Sequence, residues 1–271
     1  MSNHVIVVKL GGTEGVDFSS ICQDAAALFS QGQCLVLVHG GSSEANQLGE
    51  ALGYPARFIT SPSGFTSRYT DRRTLEIYIM AANGKVNTLL VEQLQRLGVN
   101  ALGLSGLDGR LMAATRKDTI QSVENGKRRI IRDDFTGKIE TINTRLLQTL
   151  LDAGYLPVIA PLAVSMDGEA LNVDGDRAAA MLAAALQAET LLLLTAVPGL
   201  LRSFPDESTL IPNLSQQKLE EALTFAEGRM KKKVLGAREA LQGGVGRVII
   251  ADGRVQRPIS EALSGKGTVI E

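Results

Sequence analysis

The sequence predicts an α/β protein whose mainly parallel sheet is covered by helices on both faces. Short apolar runs such as VIVV at residues 5–8 and LVLV at residues 35–38 read as strands buried on both sides. They alternate with helical segments, the rhythm of parallel strands joined by crossover helices. Glycines follow the strand ends, at Gly11, Gly12, Gly40 and Gly41. In sheets of this class, ligands gather at that end.

The order of elements follows from the same signals. VIVVKLGG is a strand ending in Lys9, followed by a helix over residues 18–31. CLVLVHGGS gives the next strand, with helices predicted over residues 43–53 and 72–96, and NALGLSG a further strand. Between residues 110 and 140, short β-like pieces around ENGK and TGK predict a hairpin. Helix and strand then resume in TRLLQTLLDAG and YLPVIAPLAVS. The helix after NVDGD leads to strand TLLLLTAV and the turn PGL, and a helix over residues 229–242 feeds strand RVIIADG. No Pro/Ser linker, low-complexity tract or repeat interrupts this pattern, so one domain over residues 1–271 is expected, with any lobes sharing one sheet.

Composition narrows the function classes. Of the 271 residues 44% are hydrophobic but only 4% aromatic, with no Trp, so aliphatic side chains must supply the core. With 28 Lys+Arg against 29 Asp+Glu, the net charge of -1 argues against whole-chain attraction to nucleic acid or acidic membranes. Cys22 and Cys34 read as apolar residues in a reducing compartment, and the only histidines, His4 and His39, offer no zinc cluster. The N-terminal segment lacks a signal-peptide pattern. The apolar stretch AAAMLAAALQAETLLLL is broken by Gln187, Glu189 and Thr190 and reads as helix plus strand rather than a span. A cytoplasmic protein is expected.

Five motifs carry chemistry. In KLGG, Lys9 ends an apolar strand; a buried ammonium is costly unless it reaches solvent or an anion. Glycines beside it let backbone N–H groups approach an oxyanion. VHGGS repeats that turn on the neighbouring strand, and no Walker A pattern occurs. In SRYTD, Arg68 could fork onto a carboxylate, while Asp71 reads as an N-cap with Arg72 and Arg73 at a solvated helix start. In LNVDGDRAA, Asn172 and Asp174 alternate as in a strand, and Asp176 heads an Ala-rich helix, as its N-cap, as the partner of two lysines, or as both. GRMKKKV sets three lysines at a helix start, where the dipole disfavours cations; a bound anion met by one of them would compensate.

These blocks, with GLSGLDG and LTAVPGLL, occur in an order that resembles the amino acid kinase family, which includes acetylglutamate kinase, aspartokinase and carbamate kinase. The resemblance implies a three-layer αβα sandwich, with an N-terminal lobe (about residues 1–170) for the acceptor and a C-terminal lobe (about 171–271) for ATP. It implies that Lys9 and Lys233 stabilise phosphoryl transfer and that Asp176 organises both. Lys233 is selected by the family's G-x-M-x-x-K-V pattern, met by Gly228, Met230, Lys233 and Val234. Gly11, Gly12, Gly40 and Gly41 match backbone donors around the transferring group and the acceptor, where Ser42 replaces a third glycine. Arg68 and Asn172 match residues holding the acceptor, and Thr195, Pro198 and Gly199 match part of the nucleotide pocket. The cofactors implied are ATP and Mg²⁺, and a homodimer is the family expectation.

SRYTDRRTLE, GLSGLDGRL, VENGK and GRMKKKV further resemble the branch acting on 2-aminoadipate linked to LysW, an acidic carrier protein of lysine biosynthesis. Residues 110–132 carry seven Lys/Arg against two acids, a local +5 that suits such a carrier or is simply a solvated hairpin. The competing readings are a free N-acetylglutamate kinase of arginine biosynthesis and a catalytically silent sensor on the same fold.

Overall fold

The computed structural model describes residues 4–11, 17–62, 64, 66–117, 119–124 and 127–271. The chain begins β1 (Val5–Lys9), α1 (Phe18–Ser30), β2 (Cys34–Val38), α2 (Ser42–Ala51), then the hairpin β3 (Phe58–Thr60) and β4 (Thr66–Arg68). Helix α3 (Arg72–Ile79) continues through a π-helical segment, Met80–Asn87, into α4 (Thr88–Arg96), before β5 (Ala101–Ser105). Next come β6 (Met112–Arg116), β7 (Ile120–Glu124), β8 (Lys127–Ile131), β9 (Gly137–Ile142) and α5 (Thr144–Asp152). They are followed by β10 (Leu156–Ala160), β11 (Leu162–Val164), β12 (Ala170–Asn172), α6 (Gly175–Ala185) and β13 (Thr190–Thr195). The chain ends with β14 (Asn213–Leu214), α7 (Leu219–Phe225), α8 (Gly228–Gln242), β15 (Arg247–Asp252), α9 (Pro258–Leu263) and β16 (Thr268–Ile270).

Eight strands form the central sheet in the order β14-β16-β15-β13-β1-β2-β10-β5. Neighbours are parallel except β15 and β16. Successive strand residues point to opposite faces, so each apolar strand serves two cores. Val5, Val7, Val36, Val38, Leu191 and Leu193 face α6 and α8, whose packing side is largely alanine and valine. Ile6, Val8, Leu35, Leu37, Leu192 and Leu194 face the opposite layer, where α1, α4 and α9 contribute Ile21, Leu90 and Ile259. This alternation explains why the runs are apolar throughout, and it yields the three layers expected.

Two elements differ from the sequence reading. Residues 72–96 are one helical stretch, as expected, but its middle turns widen to π geometry, which apolar periodicity does not encode. The β region at residues 110–140 is more than one hairpin. β7 and β8 pair antiparallel on either side of ENGK, whose two central residues lie outside the described residues, while β6 and β9 pair with each other and belong to a second sheet, β12-β11-β6-β9. Both cysteines are free; burial pushes the Cys22 thiol up to about 12. Among the described residues no helix is long and apolar enough to cross a membrane.

Candidate active site

Lys9 continues the row of Val5 and Val7, so strand alternation directs it to the face covered by α6 and α8. The first turn of α6 meets it there. Asp174 caps this helix: its backbone is extended and its side chain accepts from the N–H groups of Asp176 and Arg177. Of the roles left open for Asp176, the cap thus falls to Asp174 and the lysine pairing stays with Asp176. Relieved of that task, the Asp176 carboxylate turns toward the strand end, with Oδ1 3.1 Å from Lys9 Nζ and 2.9 Å from Lys233 Nζ.

All three side chains are buried, with 7%, 13% and 8% exposure for Lys9, Asp176 and Lys233. Burial opposes ionisation of Asp176, but the Lys233 and Lys9 ammoniums outweigh it and hold the carboxyl well below the usual range. Burial pulls Lys233 down, Asp176 opposes that shift, and the Lys9 charge adds to it. The cluster is two cations on one carboxylate oxygen. Each ammonium has three donors, and among the described residues Asp176 is the only acceptor for either. The remaining donors and the surplus positive charge are what an anionic group would meet. Gly175, which the sequence reading did not single out, packs closely here: a Cβ on it would lie 3.0 Å from Lys9 Cε.

The two glycine turns sit beside this cluster. Leu10 N–H donates to the Val38 carbonyl at 2.7 Å, tying the end of β1 to that of β2, so Gly11 is brought next to Gly40 and Gly41. Gly12 lies outside the described residues. Among the described residues, the N–H groups of Gly40 and Gly41 meet no acceptor. Gly41 is also a packing glycine, since a Cβ there would come within 2.5 Å of Ala82 Cβ. His39 is fully buried, with Nδ1 2.7 Å from the Gly40 carbonyl and Nε2 3.0 Å from Asn87 Nδ2. Burial, with the Lys9 charge adding, pulls its pKa down to about 4.

Arg68, at the end of β4, is 8% exposed and makes no ion pair among the described residues. Its guanidinium donates to the Ser42 carbonyl at 3.1 Å and to Asn46 Oδ1 at 2.7 Å. Ser42 thus contributes its carbonyl to Arg68, while its side chain is exposed. Asn172 donates to Thr70 Oγ1, and Thr70 Oγ1 to the Arg68 carbonyl, both at 3.1 Å, so SRYTD and LNVDGD form one hydrogen-bonded unit. Asp71 caps α3 as expected. Lys232 adds a link from the opposite side, donating to the Thr66 carbonyl at 3.0 Å.

Thr195 ends β13, whose Leu193 pairs with Lys9, so it occupies the same sheet end and face. Pro198 is half-buried nearby in sequence. Gly199 is packed away from the lysines: a Cβ on it would meet Thr268 Oγ1 and Leu210 Cδ1, each at 2.7 Å. In the basic segment, Arg116 stacks 3.7 Å from the Phe135 ring centre and bonds the Asp134 carbonyl. Arg110 bonds the Ser165 carbonyl. Lys117, Arg128, Arg129 and Arg132 are exposed, so the basic surface is smaller than the residue count implies. Its β7 strand packs against β3, beside the hairpin carrying Arg68.

The profile of the amino acid kinase family matches residues 4–252. The chain belongs to the amino acid kinase family. This amino acid kinase is 59% identical to LysW-aminoadipate kinase of Deinococcus radiodurans, over 98% of this chain and 91% of that one. It is 53% identical to LysW-aminoadipate kinase of Thermus thermophilus, over 98% of this chain and all of the other. In structure it resembles N-acetylglutamate synthase from Neisseria gonorrhoeae, solved with coenzyme A and N-acetylglutamate, with a TM-score of 0.80 and 28% identity. The match covers 99% of this chain and 59% of the synthase.

Two expectations about this amino acid kinase follow. Asp176→Ala leaves two buried ammoniums without a counter-charge and lowers the unfolding free energy by about 3–5 kcal/mol in urea titrations, with Lys9→Met added to it restoring part of the loss. Because His39 has a depressed pKa, the unfolded chain binds more protons between the ordinary value of 6.5 and about 4. Unfolding free energy therefore falls as pH drops through that window, by up to roughly 3 kcal/mol, and His39→Asn flattens the slope.

Proposed function

We propose that this amino acid kinase transfers the γ-phosphoryl group of ATP to the distal carboxylate of 2-aminoadipate whose amino group is attached to a LysW-type carrier protein. The observation that carries the reading is the buried Lys9–Asp176–Lys233 cluster, with cationic donors to spare at the end of the sheet. A carboxylate oxygen attacks the γ-phosphorus in line, the bond to the β-phosphate oxygen breaks, and ADP leaves with that electron pair. The product is an acyl phosphate. The acceptor is already ionised at neutral pH, so no general base is needed, and catalysis reduces to positioning and charge neutralisation.

Lys9 and Lys233 neutralise charge on the transferring group, and Asp176 fixes both ammoniums. Gly11, Gly12, Gly40 and Gly41 donate backbone N–H groups around the reacting oxygens. Arg68, with Asn172 and the Ser42 carbonyl behind it, holds the acceptor; a buried guanidinium lacking a carboxylate among the described residues supports this role. The N-terminal part of the chain holds the acceptor and the C-terminal part the nucleotide, with Thr195, Pro198 and Gly199 toward the base or ribose. Mg²⁺ enters with the nucleotide as MgATP, held by phosphate oxygens and water. Among the described residues no group of three or more His, Cys, Asp or Glu is arranged to hold a metal.

The names of the two bacterial relatives favour the carrier-linked acceptor over free N-acetylglutamate. The exposed Lys117, Arg128 and Arg132, in the β region whose β7 packs against β3, suit an acidic carrier. The reading includes a cytoplasmic homodimer serving lysine biosynthesis, with arginine biosynthesis added if glutamate on the carrier is also accepted.

ADP release with MgATP should require carrier-linked aminoadipate, and turnover on free N-acetylglutamate alone would overturn the carrier reading. Lys9→Ala or Lys233→Ala should lower kcat by about 10²–10³, by analogy with a deleted oxyanion-hole donor; a Lys9→Ala enzyme that keeps full turnover refutes the phosphoryl-transfer role. Arg128→Glu with Arg132→Glu should raise KM for the carrier-linked acceptor several-fold, reduce its salt dependence and leave kcat unchanged.

A further inference from the structure

Asn87 is a polar residue in a place that calls for an apolar one. It ends the π-helical segment, lies between the core residues Val86 and Leu90, and is 4% exposed. A buried amide costs free energy unless hydrogen-bonded, and the surroundings are shaped to receive this one. On β5, a Cβ at Gly103 would lie 2.1 Å from Asn87 Oδ1, so only glycine leaves room. Asn87 Nδ2 donates to the Val158 carbonyl at 2.9 Å and lies 3.0 Å from His39 Nε2.

The shorter contacts assign the protons of the network; the Leu104 carbonyl, 3.5 Å from Asn87 Nδ2, is a weaker third neighbour of the amide. The Val158 carbonyl can only accept, so the amide group facing it is NH₂ and not oxygen. The same NH₂ then donates to His39 Nε2, which must carry a lone pair. On the other side of the ring, Nδ1 lies 2.7 Å from the Gly40 carbonyl, which also can only accept, so Nδ1 bears the hydrogen. Both sides independently require the same neutral tautomer. Depression of the His39 pKa by burial agrees with it.

The pinned Gly40 carbonyl has a geometric result. The Gly40–Gly41 peptide is trans, and in a planar trans peptide the C=O and the following N–H point in opposite directions. Holding the Gly40 carbonyl against His39 therefore turns the Gly41 N–H away from His39, where it has no acceptor among the described residues. The π-helical segment touches this turn a second time, because Ala82 abuts the Gly41 Cα. Thus the segment that supplies Asn87 also limits how far the peptide can rotate.

We propose that His39 and Asn87 are positioning residues for phosphoryl transfer: the imidazole pins the Gly40 carbonyl and so aims the Gly41 N–H at an oxyanion of the reacting pair. This rests on the phosphoryl-transfer reading above. Neither side chain touches substrate; each acts through the backbone. π-Bulges recur at functional sites, and here the π-helical segment ends at Asn87, against His39.

The experiment compares His39→Asn with His39→Gln. The Asn amide nitrogen falls near the position of imidazole Nδ1 and can still donate to the Gly40 carbonyl, whereas the Gln amide falls near Nε2 and cannot. With MgATP and the acceptor the wild-type enzyme uses, His39→Asn should keep kcat within a few-fold. His39→Gln should lose about 10²-fold in kcat, with KM for ATP little changed. Equal losses in the two variants, or no loss in either, overturn the proposal. A wild-type enzyme inactive on both acceptors instead refutes the activity reading. Nitrogen NMR of the imidazole in the unmodified protein gives a readout free of turnover and of variant folding. Hydrogen on Nδ1 is expected, and hydrogen on Nε2 overturns the proposal.

Discussion

Two ammonium groups share one carboxylate oxygen at the carboxyl end of the central sheet, and the nearby backbone is arranged so that they can. Taking three charges out of water costs several kcal/mol per ion, returned only where geometry is close and other donors are satisfied. The charges do not cancel. One carboxylate balances one lysine, and the second cation is a standing demand for an anion. Gly175 clears space for the Lys9 stem, Asp174 takes over the capping of α6, and the alanine side of that helix lets it lie close to β1. Each choice is small; together they bring residues from three distant parts of the chain to one oxygen atom.

Much of this was legible in the sequence because it rests on strong local rules. A lysine that breaks an apolar strand must end at an anion or in water, and strand alternation then assigns its face. Glycines after two successive strands marked the end of the sheet where the lysine cluster forms. The ambiguities arose where one residue type serves two purposes. Asp174 and Asp176 are both reasonable caps by type, and only backbone conformation separates them. Glycine signals close approach without naming what approaches: at Gly41 it is Ala82, at Gly199 it is Thr268, and at Gly175 it is the catalytic-lysine candidate. The π-helical turns left no trace in the apolar pattern, since Leu75, Leu90 and Leu94 still fall on buried positions. Asn87 consequently read as an ordinary helix residue.

The surroundings of Arg68 are built differently. Arg68 is held through backbone carbonyls and neutral side chains, Ser42, Asn46 and Thr70, with no carboxylate among the described residues to satisfy it. That leaves its charge without a counter-ion among the described residues. The Lys232 bond to Thr66 joins the hairpin bearing Arg68 to the helix bearing Lys233. The two halves of the proposed site thereby meet through adjacent residues of α8.

The strand order has a meaning for the chain while it is being made. β1 lies between β2 and β13. The first of these neighbours follows directly, but the second is residues 190–195. During synthesis, therefore, VIVVK presents an open apolar edge for more than half the length of the chain. Such an edge is a template for pairing with another nascent copy. The same topology keeps the lysine cluster unassembled until α8 has been added, so a partial chain has the sticky edge without the chemistry.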